Sequence, residues 1–130
     1  EKIGPLVITV TLPQDATVGP RVQLLDEIVV VQGTVAPLDA LPAVAAQTPD
    51  MPILIDGGAL RGADILKALA LGARMTMLGR PFLYAAAFAG EAGVVRAAEI
   101  LRTEIDRNLA LLGCPDVAGI GRAFLQETRP

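Results

Sequence analysis

Four short apolar runs constrain the fold more than any other feature of the chain: Leu6-Val7-Ile8-Thr9-Val10, Ile28-Val29-Val30-Val31, Ile53-Leu54-Ile55 and Met75-Thr76-Met77-Leu78. Their hydrophobicity is continuous rather than alternating, which is the pattern of strands buried on both faces of a parallel sheet. Segments of helical period lie between them, at Leu38 to Ala46 and Gly62 to Leu71. In the second, Ile65, Leu66, Leu69 and Ala70 share one side, with Asp64 and Lys67 on the other. Strand alternating with helix predicts an α/β fold of βαβ units with a mainly parallel sheet. Pro13, Gly19 and Pro20 interrupt the first crossover and leave room there for only a short helix.

Beyond the fourth run, Val94, Val95, Ala98, Leu101, Ile105, Leu109 and Leu112 recur at helical spacing, which predicts a long helix over Glu91 to Leu112 stopped by Gly113. Asp116 is placed to cap a last short helix ending near Gln126.

The 130 residues, 52% of them hydrophobic, are enough for one globular unit with its own core. A net charge of -3, with Lys and Arg dispersed, gives no electrostatic footprint for nucleic acid or an anionic membrane. No apolar run approaches the roughly 20 residues that a membrane span requires. The single cysteine, Cys114, excludes an internal disulfide, and with no targeting pattern at the N-terminus the expected location is cytoplasmic. The chain has no histidine, so imidazole cannot serve as base, nucleophile or metal ligand, and no metal site is expected.

Two glycine turns are the candidate sites. Ile55-Asp56-Gly57-Gly58-Ala59-Leu60-Arg61-Gly62 leaves the third run and enters a helix, and Leu78-Gly79-Arg80-Pro81 does the same after the fourth. Loops at the carboxyl ends of parallel strands hold ligands, and a glycine turn before a helix lets backbone N–H groups approach a phosphate. Asp56 can instead accept from a neutral ligand group, Arg80 can grip phosphate, and Pro81 suits a first helical turn. On spacing alone both turns read more readily as plain connections, because glycine turns are common punctuation. Glu91, Arg96 and Arg102 read as solvated helix charges. Cys114, and the aromatic set Phe82, Tyr84 and Phe88, read as packing residues.

From Asp56 onward the residues DGGALRGADILKALALGA, then LGRPFLYA from Leu78, GEAGV from Gly90 and LLGCPD from Leu111, closely resemble the end of the FMN-dependent 2-hydroxy-acid dehydrogenases and oxidases. The ending EIDRNLALLGCPD is most similar to the mandelate dehydrogenases among them. Residues 52 to 126 are identified as belonging to that family on these motifs. The resemblance implies a TIM barrel of which the four runs are strands five to eight. It implies FMN as cofactor, with Asp56, Gly57, Gly58 and Ala59 along the flavin, Gly79 and Arg80 on its phosphate, and Arg61 as a possible second phosphate ligand. It implies oxidation of a 2-hydroxy acid to a 2-oxo acid as the family reaction.

Several positions depart from the family pattern. Two arginines usually precede the glycine of the seventh-strand loop, the first of them reaching phosphate, and here Leu60 precedes Arg61. Pro13-Gln14-Asp15-Ala16 echoes the family, but Thr9 falls near the place of a flavin-contacting lysine. Val31-Gln32-Gly33-Thr34-Val35 runs directly into Ala36-Pro37-Leu38, where the family carries its proton-abstracting His and carboxylate-binding Arg.

The expectation is therefore one half-barrel domain over residues 1–130, with diverged strands five and six in 1–50 and family-like strands seven and eight plus C-terminal helices in 51–130. A complete barrel takes about 250 residues, so a half leaves two sheet edges to be paired by an N-terminal half-barrel chain or by a second copy. With no catalytic residue identified, the chain alone should not turn over, and a 2-hydroxy acid would be a substrate only of a complete assembly. The alternatives are a non-catalytic interaction module and a degenerate remnant.

Overall fold

The computed structural model describes residues 21–25, 28–32 and 37–126, and the expected strand Leu6 to Val10, with Thr9 and Pro13 to Ala16, lies outside them. A four-stranded sheet runs in the order β1 (Arg21–Leu25), β2 (Ile28–Gln32), β3 (Ile53–Asp56), β4 (Met75–Met77). β2, β3 and β4 are mutually parallel, with Val29 opposite Ile53 and Leu54 opposite Met75. Helix α1 (Pro37–Gln47) connects β2 to β3, and α2 (Gly62–Ala70) connects β3 to β4.

The three expected strands that are described, β2, β3 and β4, are parallel, while β1 is a strand that the sequence reading did not anticipate, antiparallel to β2, with Leu25 opposite Ile28. Its residues Arg21-Val22-Gln23-Leu24 alternate polar and apolar, the period of a strand rather than of a helix.

The core shows which kind of α/β fold this is. Val29, Val31, Ile53 and Ile55 from the sheet, Ala40, Leu41 and Val44 from α1, and Ala68 from α2 form one buried cluster. Both connecting helices therefore cover the same face of the sheet, as in a barrel, whereas a doubly wound sheet carries helices on both faces. Full burial of a Leu, Ile or Val side chain contributes about 1.5–3 kcal/mol, so this face supplies much of the stability of the unit. Val30 and Leu54, on the opposite face, are half-buried, and Met75 and Met77 remain 55% and 46% exposed. The expectation of strands buried on both faces is thus corrected: the described residues cover one face only.

Helix α3 (Arg80–Leu112) is two helices joined at a break, with Ala89 and Gly90 outside helical geometry and Gly90 at φ +57°. Gly93 lies so close to the carbonyl of Ala85 that a β-carbon there would overlap it. The GEAGV motif is therefore a tight join between the segments 80–88 and 91–112. The second segment packs on α2: Leu66, Leu109 and Cys114 form a buried cluster flanked by Ile105 and Ile120. Gly113, at φ +67°, ends the helix, with its N–H donating to Ala110 O at 3.2 Å and that of Cys114 to Leu109 O at 3.0 Å. This is a Schellman stop with its apolar contact between Leu109 and Cys114.

Asp116 caps as expected, its Oδ1 accepting the N–H of Gly119 at 3.0 Å. Two single-turn 3-10 helices, Val117–Gly119 and Arg122–Phe124, take the place of the one helix expected to reach Gln126. Gly119 and Gly121, with high cost in a regular helix, divide the segment. Glu91, Arg96 and Arg102 are exposed and Cys114 is buried, in line with the sequence reading. Tyr84 and Phe88 are 67% and 93% exposed, so the packing role expected of them is not met among the described residues. The segment 80–88 presents these rings away from the core that α1 and α2 form with the sheet.

Candidate functional site

Because β2, β3 and β4 are parallel, their carboxyl ends and the loops after them share one rim. The turn after β3 passes through Gly57 and Gly58 at φ +101° and +81°, conformations that side chains disfavour. Ala59 beyond it is buried and Leu60 is exposed. Gly79 and Arg80, after β4, are both exposed on this rim. The two sequence-predicted loops are therefore brought to the same edge of the sheet.

Each loop opens a helix, and the two helix N-termini differ. That of α2 is closed by carboxylates: Asp64 Oδ2 accepts the N–H groups of Leu60 at 3.1 Å and Arg61 at 3.0 Å. Glu104, from the second segment of α3, accepts the Gly62 N–H at 2.7 Å. Its other oxygen holds the Arg61 guanidinium at 2.7 Å. The structure thus gives Arg61 a carboxylate partner on α3. Two acidic side chains thus accept three N–H groups at the start of α2, those of Leu60, Arg61 and Gly62, and complement its dipole.

Among the described residues, the N-terminus of α3 is open. Its N-cap is Gly79, with no side-chain hydrogen bond to the cap and nothing within 4 Å of where a β-carbon would stand. Arg80 follows as the first helical residue and is in no ion pair among the described residues. An open helix N-terminus, a glycine that admits close approach and a guanidinium together suit a phosphate group. The residues present therefore fit a phosphorylated cofactor at Gly79 and Arg80 better than at Arg61.

A further polar pair sits on this rim. Gln32 and Asp56 end β2 and β3 as register partners, and Gln32 Nε2 donates to Asp56 Oδ2 at 2.7 Å. Neither Gln32 nor Glu104 carried a role in the sequence reading. Glu104 opens the motif EIDRNLALLGCPD, and Gln32 is the first polar residue after an apolar run. Those were the available signals, and partners distant in sequence supply their meaning. Among the described residues no group of three or more His, Cys, Asp or Glu side chains could hold a metal ion. Among them, too, no helix is long and apolar enough to cross a membrane.

Parallel strands with both helices on one face, and a helix N-terminus on the rim, are the arrangement of part of a (β/α) barrel. The family is explicit in the sequence: residues 30–127 match the FMN-dependent dehydrogenase profile, and the chain belongs to that family, whose cofactor is FMN. It is 46% identical over 93 residues to (S)-mandelate dehydrogenase of Pseudomonas putida, covering 72% of this chain and 23% of that protein. It is 38% identical to L-lactate dehydrogenase of Caulobacter vibrioides over an alignment of 136 positions, covering 98% of this chain and 35% of the relative. A solved active mutant of (S)-mandelate dehydrogenase superposes with a TM-score of 0.69 at 45% identity, covering 72% of this chain and 26% of that one. The fold is thus α/β and matches part of a TIM barrel, and the chain spans from a quarter to about a third of the length of these relatives.

Proposed function

We propose that this chain is the flavin-holding C-terminal part of an FMN-dependent 2-hydroxy-acid oxidoreductase and that it has no turnover by itself. The observation that carries the reading is the open N-terminus of α3 at Gly79 and Arg80, on the same rim as the Gly57–Gly58 turn. Arg80 and the free N–H groups of the first α3 turn hold the phosphate. Gly57 and Gly58 let the backbone approach the cofactor, Ala59 anchors the end of that turn in the interior, and Asp56 accepts a hydrogen bond from it. Arg61, committed to Glu104, steadies the loop rather than touching phosphate. Bound FMN supplies the electron acceptor for oxidation of a 2-hydroxy acid to a 2-oxo acid.

A chain without histidine has no imidazole to remove the substrate proton, and general-base catalysis is worth typically about 10²–10⁴-fold. The relatives named above have the length to supply further strands. A 2-hydroxy acid is thus a substrate only when an N-terminal half-barrel, or a second copy, completes the sheet. The test is titration of the purified chain with FMN, followed by flavin fluorescence quenching. Saturable binding that weakens at least about tenfold in Arg80→Ala supports the reading, one good charged contact being worth about 1.5–3 kcal/mol. Absence of binding at high micromolar FMN overturns it.

A second reading, a non-catalytic interaction module or remnant, draws on the apolar surface at Met75, Met77, Leu83 and Phe88, which is exposed on and after the edge strand β4. Exposed apolar patches beside an unpaired strand mark contact surfaces. A stable dimer without flavin affinity would select this reading.

A further inference from the structure

We propose that Gln32 is a positioning residue of this rim, holding the Asp56 carboxylate as an acceptor for the hydroxyl or N–H donors of a flavin while the flavin's phosphate lies apart at Arg80. The inference rests on the FMN reading above and assigns the two ends of the ligand to different residues.

Side chains of register partners in a parallel sheet share a face, and faces alternate along each strand. Val29, Val31, Ile53 and Ile55 point to the helices, so Val30 and Gln32, Leu54 and Asp56, and their β4 partners Met75 and Met77 occupy the helix-free face. Gln32, Asp56 and Met77 form the last row of that face, at the carboxyl rim. Met77 has no donor to offer its neighbour. Gln32 is the side chain that donates to Asp56 among the described residues, at 2.7 Å. A carboxylate only accepts, so the amide nitrogen, not its oxygen, faces Asp56.

This bond occupies one of about four acceptor positions on the carboxylate. The others stay available for ligand donors, in an orientation fixed by an amide that β2 holds in place. No ion pair involves Asp56 among the described residues, and its negative charge repels a phosphate. The anionic end of a ligand is accordingly directed to the loop after β4. Gln32 is exposed, so its hydrogen bond adds little to folding. Its contribution lies in the geometry of Asp56.

The experiment compares FMN and riboflavin affinities, by fluorescence quenching, with inhibition by inorganic phosphate, in the full chain and in Gln32→Met and Gln32→Glu. Gln32→Met keeps side-chain size and loses the donor. It is expected to weaken FMN and riboflavin by the same factor, about fivefold, from the usual worth of one hydrogen bond. Phosphate inhibition should stay within about twofold of wild type, because Arg80 is untouched. Gln32→Glu places a second carboxylate against Asp56 and should weaken both flavins further. Unchanged FMN affinity in Gln32→Met, with wild type binding normally, overturns the inference and leaves the FMN reading standing. Equal loss of flavin and phosphate binding also overturns it, since that marks a merely structural role. Wild-type protein that binds no flavin removes the FMN reading and this inference together.

Discussion

Glu104 and Gly62 lie 42 positions apart and meet at 2.7 Å, the carboxylate of α3 accepting the first backbone N–H of α2. The same carboxylate holds Arg61, so one side chain ties the C-terminal helix to the loop that follows β3. Its side chain is only 17% exposed, which makes the contact a charge-assisted hydrogen bond sheltered from water.

Glu104→Ala should therefore destabilise the fold by about 2 kcal/mol, since a hydrogen bond to a charged group is worth roughly 1.5–3. Glu104→Gln retains an acceptor and should recover part of that. Arg61→Ala should cost at most about 1 kcal/mol, because the Arg61 side chain is 73% exposed. Urea unfolding of the three variants checks the order; an Arg61→Ala loss as large as that of Glu104→Ala would contradict it.

The approach of the two helices also requires glycine at position 62. A β-carbon there would stand 2.7 Å from Glu104 Cβ and 2.8 Å from the Ile105 backbone nitrogen. Gly62→Ala should cost about 1–3 kcal/mol through overpacking. Gly121→Ala, where nothing lies within 4 Å and the backbone is extended, should stay within about 0.5 kcal/mol. Similar unfolding midpoints for the two variants would argue against close packing of α2 on α3.

Cys114 is 5% exposed, and its thiol lies 3.2 Å from the Asp116 carbonyl oxygen. Reaction with a disulfide reagent should be slow in the native chain and fast in denaturant, because the thiolate must be reached before it can attack. Rapid native labelling would show that the cluster with Leu66 and Leu109 opens readily.

Phe88, at 93% exposure, makes almost no buried contact in the chain alone. Phe88→Ser should leave the unfolding free energy of the dilute chain within about 0.5 kcal/mol while reducing self-association in analytical ultracentrifugation. A large loss of stability in dilute solution would mean that the ring packs against its own chain.

How much of the molecule is legible from its residues depends on the range of the interactions involved. β2, β3, β4, α1 and α2 stand close to their expected places because runs of Val, Ile and Leu, and the period of Leu66 and its neighbours, are local signals. The stop at Gly113 likewise reflects glycine reaching positive φ, whereas the break at Gly90 was not anticipated. β1 is masked in the sequence because Pro13, Gly19 and Pro20 signal a broken crossover more strongly than the short alternation in Arg21 to Leu24 signals a strand. At the site, the two glycine turns and Arg80 are legible as a motif. The partners of Arg61 and Asp56 are not, because Glu104 and Gln32 reach them across 43 and 24 positions.

By itself the sequence determined the α/β class and the family motifs, since both depend on which residues are present and on their near neighbours. Only the tertiary structure decided that both connecting helices cover one face of the sheet, that carboxylates close the N-terminus of α2 while that of α3 stays open, and that Gln32 meets Asp56. These are contacts between segments far apart in the chain, and they exist only once packing against a common core has brought those segments together.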